Sequence, residues 1–192
     1  LFAIEYALKY QQHLRGLIIS NMMASIPAYN DYAKKVLMPA MDAKALAEIQ
    51  EIEAKKDFNN PRYMQLLVPH FYEHHILRMP SAEWPEPAQR SFAHMNQDIY
   101  VQMQGPSEMG AGGKILHWDR TADLEKIAPP ALIIGAKHDT MDPAHMEMMA
   151  KKVQKGRYLF CPNGSHMAIY DDQKVYMDGI IQFLRDVDGG RF

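Results

Sequence analysis

Apolar residues Leu1, Ile4, Ala7 and Leu8, followed by Gln11, recur at helical spacing; a continuous run of buried character, Leu17–Ser20, then sits inside LRGLIISNMM. The first pattern predicts a helix over residues 1–13. The second predicts a strand over Leu14–Met23, of the kind covered on both faces in a parallel sheet. From about Ser25 to Trp118 the periodicity is helical and no strand stands out. Asp42 is placed to cap a helix reaching about Lys56, with Leu46, Ile49 and Ile52 on one side. Asn60-Pro61 reads as a cap followed by proline at the first helical position, opening a helix that carries Tyr63, Leu66, Leu67 and Phe71. Pro80, Pro85 and Pro87 break the pattern, and GPSEMGAGGK (105–114) is a glycine-rich loop. Alternation resumes at Ala131. A strand, ALIIG, ends in the polar turn AKHDTMDP; Asp142-Pro143 opens a helix with Met146, Ala150 and Val153 on one face. Tyr158–Cys161 is the next strand, and a last helix from about Asp171 carries Met177, Ile180, Ile181, Leu184 and Val187.

The outline is α-β, a helical insertion, then β-α-β-α, which predicts an α/β fold with a parallel sheet. Three segments are expected: core over 1–23, an all-helical part over 24–118, and core again over 119–192. No internal repeat or low-complexity tract interrupts them.

Composition narrows the picture modestly. The chain of 192 residues is 47% apolar and 23% charged, which suits a soluble globular protein with a sizeable core. Net charge is −2, from 21 basic and 23 acidic residues, and this gives no footprint for nucleic acid or an anionic membrane. No apolar run is long enough for a membrane-spanning helix. The single cysteine, Cys161, lies in a strand pattern; this favours a reducing compartment, and a cytoplasmic location is expected.

Candidate chemistry gathers at strand ends. In an open parallel sheet, ligands bind off the carboxyl ends of the strands. Asp139 follows ALIIG, and His166 follows YLFC within PNGSHMAIYDD, so the two loops are expected to meet. Asp139 would orient the imidazole and stabilise its charged form, with His166 as general base and then acid. A nucleophile is also needed. Ser107 follows no core strand, Ser165 adjoins His166 and would point away from it, and Ser20 lacks the glycines of a sharp elbow. Leu1 falls inside a helical pattern with nothing before it to cap the helix. The chain is therefore expected to be the carboxyl-terminal part of something longer, with a G-x-S-x-G elbow and its serine upstream of Leu1. His70, His74 and His75 include an i, i+4 pair, but no H-E-x-x-H pattern and no third ligand accompany it. Of the 15 methionines, Met22, Met23, Met38, Met41 and Met64 suit a plastic apolar pocket or ordinary core filling. Lys151, Lys152 and Lys155 read as the solvated end of a helix.

The combination of EYALKY, GLIISNMM, NPRYM, IYVQMQGPSE, WDRTADL, IGAKHDTMDP and PNGSHMAIYDD resembles the proline iminopeptidases over essentially the whole chain. These are α/β-hydrolase serine aminopeptidases related to the tricorn-interacting peptidases and amino-acid amidases. The resemblance implies the C-terminal part of an α/β-hydrolase sheet with an all-helical cap inserted. It also implies Asp139 as catalytic acid, His166 as catalytic base, Glu108 of GPSE holding the substrate's free amino terminus, and Tyr100 lining the pocket. The expected partner is a peptide or aminoacyl amide with a free N-terminus; no metal or organic cofactor is implied. One position departs from part of the family: Thr140 follows the acid where a second glutamate can stand, so amine recognition would rest on Glu108 alone or on another carboxylate such as Asp142. An amidase, an esterase or epoxide hydrolase of the same fold, and a non-catalytic ligand-binding module are the competing expectations.

Overall fold

The computed structural model describes residues 1–192. Strands β1 (Leu17–Ser20), β2 (Ala131–Ala136) and β3 (Gly156–Cys161) form one parallel sheet in the order β1-β2-β3. Its helices are α1 (Phe2–Tyr10), α2 (Ile26–Tyr32), α3 (Ala43–Ala54), α4 (Pro61–Leu67), the single turn α5 (Glu73–His75), α6 (Glu86–Ala93), α7 (Gln97–Met103), α8 (Pro143–Lys152), the short α9 (Ala168–Asp171) and α10 (Gln173–Asp188). Asp142 and Asn60 cap α8 and α4 as their Asx-Pro spelling predicts, accepting from the amides of Ala144 and Arg62; Asp42 caps α3 through Lys44 and Ala45.

β2 lies in the middle, with Ala131 paired to Leu17 on one side and to Gly156 on the other. All six of its residues are buried. Because successive side chains point to opposite faces, β2 feeds two cores. Ala131 and Ile133 pack with Ile4 and Ala7 of α1 and with Met146, Met149 and Ala150 of α8. Leu132, Ile134 and Ala136 pack with Tyr176 and Phe183 of α10. Helices α2–α7 all fall between β1 and β2, and most of their buried side chains form a separate core that includes Ile49, Tyr63, Leu67, Phe71, Leu77 and Met109. Met167 and Tyr170, just past β3, pack against that core and tie it to the sheet.

The structure departs from the sequence pattern in three places. β1 covers only Leu17–Ser20 of the expected Leu14–Met23. Leu14 closes a 3-10 turn over Gln11–His13, and Asn21 ends the strand with φ at +50°. That left-handed conformation is one an asparagine tolerates better than most residues. The π turn Val68–Tyr72 contains Pro69, whose missing N–H cannot complete the α-helical ladder. This breaks the simple i, i+4 relation of His70 and His74. On α10, Met177, Ile181 and Leu184 are 38%, 41% and 49% exposed, because the sheet takes the stripe containing Tyr176 and Phe183 instead.

Candidate active site

Two turns hang from neighbouring strand ends, and the register sets them side by side: Ala136 at the end of β2 pairs with Cys161 at the end of β3. Main-chain bonds lock the turns together. Lys137 N donates to Cys161 O, and His138 N to Gly164 O, each at 3.0 Å. Asp139 and His166 are thereby brought into contact, with Nδ1 of His166 2.9 Å from Oδ1 of Asp139. A carboxylate only accepts, so Nδ1 carries the proton, and Nε2 is the nitrogen left for chemistry.

Asp139 is fully buried. A carboxylate so placed is stable only if its oxygens are satisfied. Here Oδ1 also accepts from the Met141 amide at 3.1 Å and from the Thr140 hydroxyl at 3.3 Å. Oδ2 accepts from Asn21 Nδ2 at 2.6 Å. The His166 side chain is 27% exposed. Burial alone would lower its pKa, but the Asp139 charge and hydrogen bond, with a further contribution from Glu108, raise it from 6.5 to about 9.

Glu108 and Tyr100 also come together, Tyr100 Oη donating to Glu108 Oε1 at 2.5 Å. Two further tyrosines hold the main chain of Glu108. Tyr29 Oη donates to its carbonyl at 2.5 Å, and its amide donates to Tyr72 Oη at 3.4 Å. Burial, then the Glu108 charge, raises the pKa of all three phenols, so each stays a donor at neutral pH. Glu108 and His166 border the same two hollows. One, about 530 Å³, is walled mainly by apolar side chains, including Met22, Ile26, Ile99, Met103 and Met141, and by Leu1 and Phe2 at the start of α1. The other, about 350 Å³, is bordered by Ser20, Asn21, Phe92, Met95 and Tyr176.

The His166 turn is also stitched to the helical segment. His166 N and Met167 N donate to the carbonyls of His75 and Ile76 at 2.9 and 2.8 Å. His75 Nδ1 donates to His138 O at 2.9 Å, and Arg78 Nη1 to Asn163 O at 3.1 Å. Ser165 is fully buried, its hydroxyl held by Ile76 O and Asp171, and Ser107 is nearly so. Asp142 spends its carboxylate capping α8 and borders neither hollow. His70, His74 and His75 do not converge, and no three metal-binding side chains gather anywhere in the chain. Sequence reasoning missed Asn21, Tyr29 and Tyr72. Asn21 was within reach of the strand-end rule that found the other two turns, since it directly follows β1.

A parallel sheet flanked by helices, with an Asp–His pair across adjacent strand ends, defines an α/β hydrolase. Two solved structures share that fold: VinJ, at 22% identity and a TM-score of 0.88 (96% of this chain, 62% of the other), and the proline iminopeptidase of Mycobacterium smegmatis, at 24% and 0.83 (99% and 63%). No protein-family model matches. A Flavobacterium johnsoniae protein named proline iminopeptidase is 55% identical over 98% of this chain and 63% of its own length. An Elizabethkingia meningoseptica protein of the same name is also 55% identical, over 100% of this chain and 64% of its own. By sequence, the chain belongs to the proline iminopeptidase family. It spans a little under two thirds of the length of those relatives.

Proposed function

We propose that the whole protein is a serine aminopeptidase that removes an N-terminal residue, proline preferred, from peptides or amides, and that this chain supplies the acid, the base and the amine anchor but neither the nucleophile nor the oxyanion-binding elbow. The observation that carries the reading is that His166, already paired with Asp139, shares one largely apolar hollow with the Glu108 carboxylate. An ammonium leaving water needs a charged partner, and an apolar wall suits the ring of a prolyl residue. Anchoring the amino group at Glu108 restricts cleavage to the first bond of the substrate. A serine preceding α1, whose first residues border the hollow, attacks that carbonyl. His166 Nε2 takes the serine proton and returns it to the leaving amine, while Asp139 stabilises the imidazolium. Backbone amides at the elbow bind the oxyanion. Residues 24–118 act as the cap. A cytoplasmic location fits a buried, unpaired Cys161.

The test is Glu108→Ala in the whole protein, assayed on proline p-nitroanilide and on a simple ester. A loss of roughly 100-fold or more in kcat/KM on the aminoacyl substrate, with the ester little changed, is expected. Equal effects on both substrates overturn amine anchoring and favour an esterase. The 192-residue chain by itself is expected to show no turnover; activity in a preparation free of host peptidase would refute the assignment of the serine to a position outside it.

A further inference from the structure

One asparagine touches all three strand ends. Asn21 follows the last residue of β1 and is 7% exposed. Its left-handed backbone, φ +50°, turns the side chain across the sheet rim. One amide hydrogen of Nδ2 goes to Asp139 Oδ2 at 2.6 Å, in the turn after β2, and the other to Ser165 O at 3.2 Å, the residue before His166 after β3. The orientation of the amide is not free. Oδ1 accepts from the Ser20 hydroxyl at 2.5 Å, and that hydroxyl in turn accepts from Tyr176 Oη of α10 at 2.9 Å. A flipped amide would set its oxygen against a carboxylate and a carbonyl, and its NH2 against the Ser20 hydroxyl, whose oxygen already accepts from Tyr176.

We propose that Asn21 is a positioning residue of this site: it clamps the second oxygen of Asp139 and the main chain of the His166 turn together, so that Oδ1 stays aligned on Nδ1 of the imidazole. A carboxylate held by one oxygen can rotate about its Cβ–Cγ bond; held by both, it cannot. The Tyr176–Ser20 pair serves as the backstop that keeps the clamp turned the right way. An aspartate in this place would set two carboxylates in contact, which explains an amide rather than an acid. Asn21 does not touch the substrate in this account. It rests on the proposed peptidase reading for its kinetic consequence, though not for the geometry.

Two variants of the whole protein test it. Asn21→Gly removes the amide while leaving the left-handed backbone unstrained; Ser20→Ala keeps the amide but removes its backstop. For Asn21→Gly the expectation is a kcat on proline p-nitroanilide lower by roughly 10- to 100-fold with KM within about twofold, as for a misplaced catalytic group. Ser20→Ala is expected to lose less, again in kcat. A readout independent of turnover accompanies the kinetics. In NMR, the wild-type His166 Nδ1 proton is expected to exchange slowly, and in Asn21→Gly it is expected to exchange faster or broaden away. Inactivity of the wild-type protein would sink the peptidase reading and leave the NMR comparison standing. The clamp is overturned if Asn21→Gly is folded with an unchanged Nδ1 proton, or has kcat within twofold of wild type. Should that variant not fold, an unchanged kcat and proton signal in Ser20→Ala overturns it.

Discussion

His166 faces two negative charges, Asp139 and Glu108, and both favour its charged form. Its pKa of about 9 lies above the ordinary 6.5. The charged form therefore contributes stability that is complete below about pH 6.5 and fades as pH rises through about 9. A charged imidazole is no base, so on the proposed reading a substrate ammonium at Glu108 would act twice, docking the substrate and cancelling part of the field that keeps His166 charged. Titration of the imidazole by NMR checks this. Glu108→Gln should bring its midpoint down, and Asp139→Asn should bring it down further because Asp139 is the larger influence. An unmoved midpoint in Glu108→Gln would show that the two groups do not communicate. Asp139 and His166 were legible in the sequence because each follows an apolar strand at a distance that puts it on the rim. Glu108 was not legible in that way. Its loop has no periodicity, and only the family likeness singled it out. Tyr29 and Tyr72 were hidden more completely, since both occupy ordinary helical positions and reveal their hydroxyl roles only through tertiary contact.

Among the elements, α7 stands apart from the rest of the helical segment. None of the residues of α7 is buried, and Ile99 is 61% exposed, whereas α4 buries Tyr63, Leu66 and Leu67. Few apolar contacts and an exposed backbone mark an element that opens at low cost. Amides of α7 should exchange with solvent well before those of α4 in hydrogen-exchange mass spectrometry; equal protection would contradict a movable α7. The element is nonetheless pinned at its C-terminal end, where Lys114 N donates to Gln102 O and Gly112 N to Gln104 O. Gly113 makes that approach possible: a Cβ there would lie 2.3 Å from Met103 O. Gly113→Ala should cost about 1–3 kcal/mol by overpacking, read as a lower melting temperature, and should raise KM as Tyr100 is displaced with α7. The Asx-Pro starts of α4 and α8 could be read directly because capping is local chemistry. The extent of β1 could not, because Asn21 ends it through a conformation that depends on partners on two other turns.

At the scale of the whole molecule, three strands carry two facing cores, and the sheet has an open side. β1 and β3 are each hydrogen-bonded to β2 alone, and Phe2, Tyr6, Met177, Ile181 and Leu184 are large hydrophobic residues left exposed. Unpaired strand edges and exposed apolar side chains both favour association. The 22.0 kDa chain produced by itself should therefore elute as more than a monomer in light-scattering chromatography, and a monodisperse monomer would refute this. Sequence alone gave the α/β plan of this molecule through its alternating periods, but not which stripe of α10 faces the sheet, since both stripes are apolar and only the crossing of helix over strand chooses between them. The seam between the His166 turn and residues 75–78 has a mechanical consequence. An imidazole whose own peptide N–H is fastened to the helical layer cannot remain in register if that layer swings open as a rigid door. Traffic in and out of the chamber would then pass on the α7 side, with the hinge at the glycines, while the seam at the His166 turn stays shut.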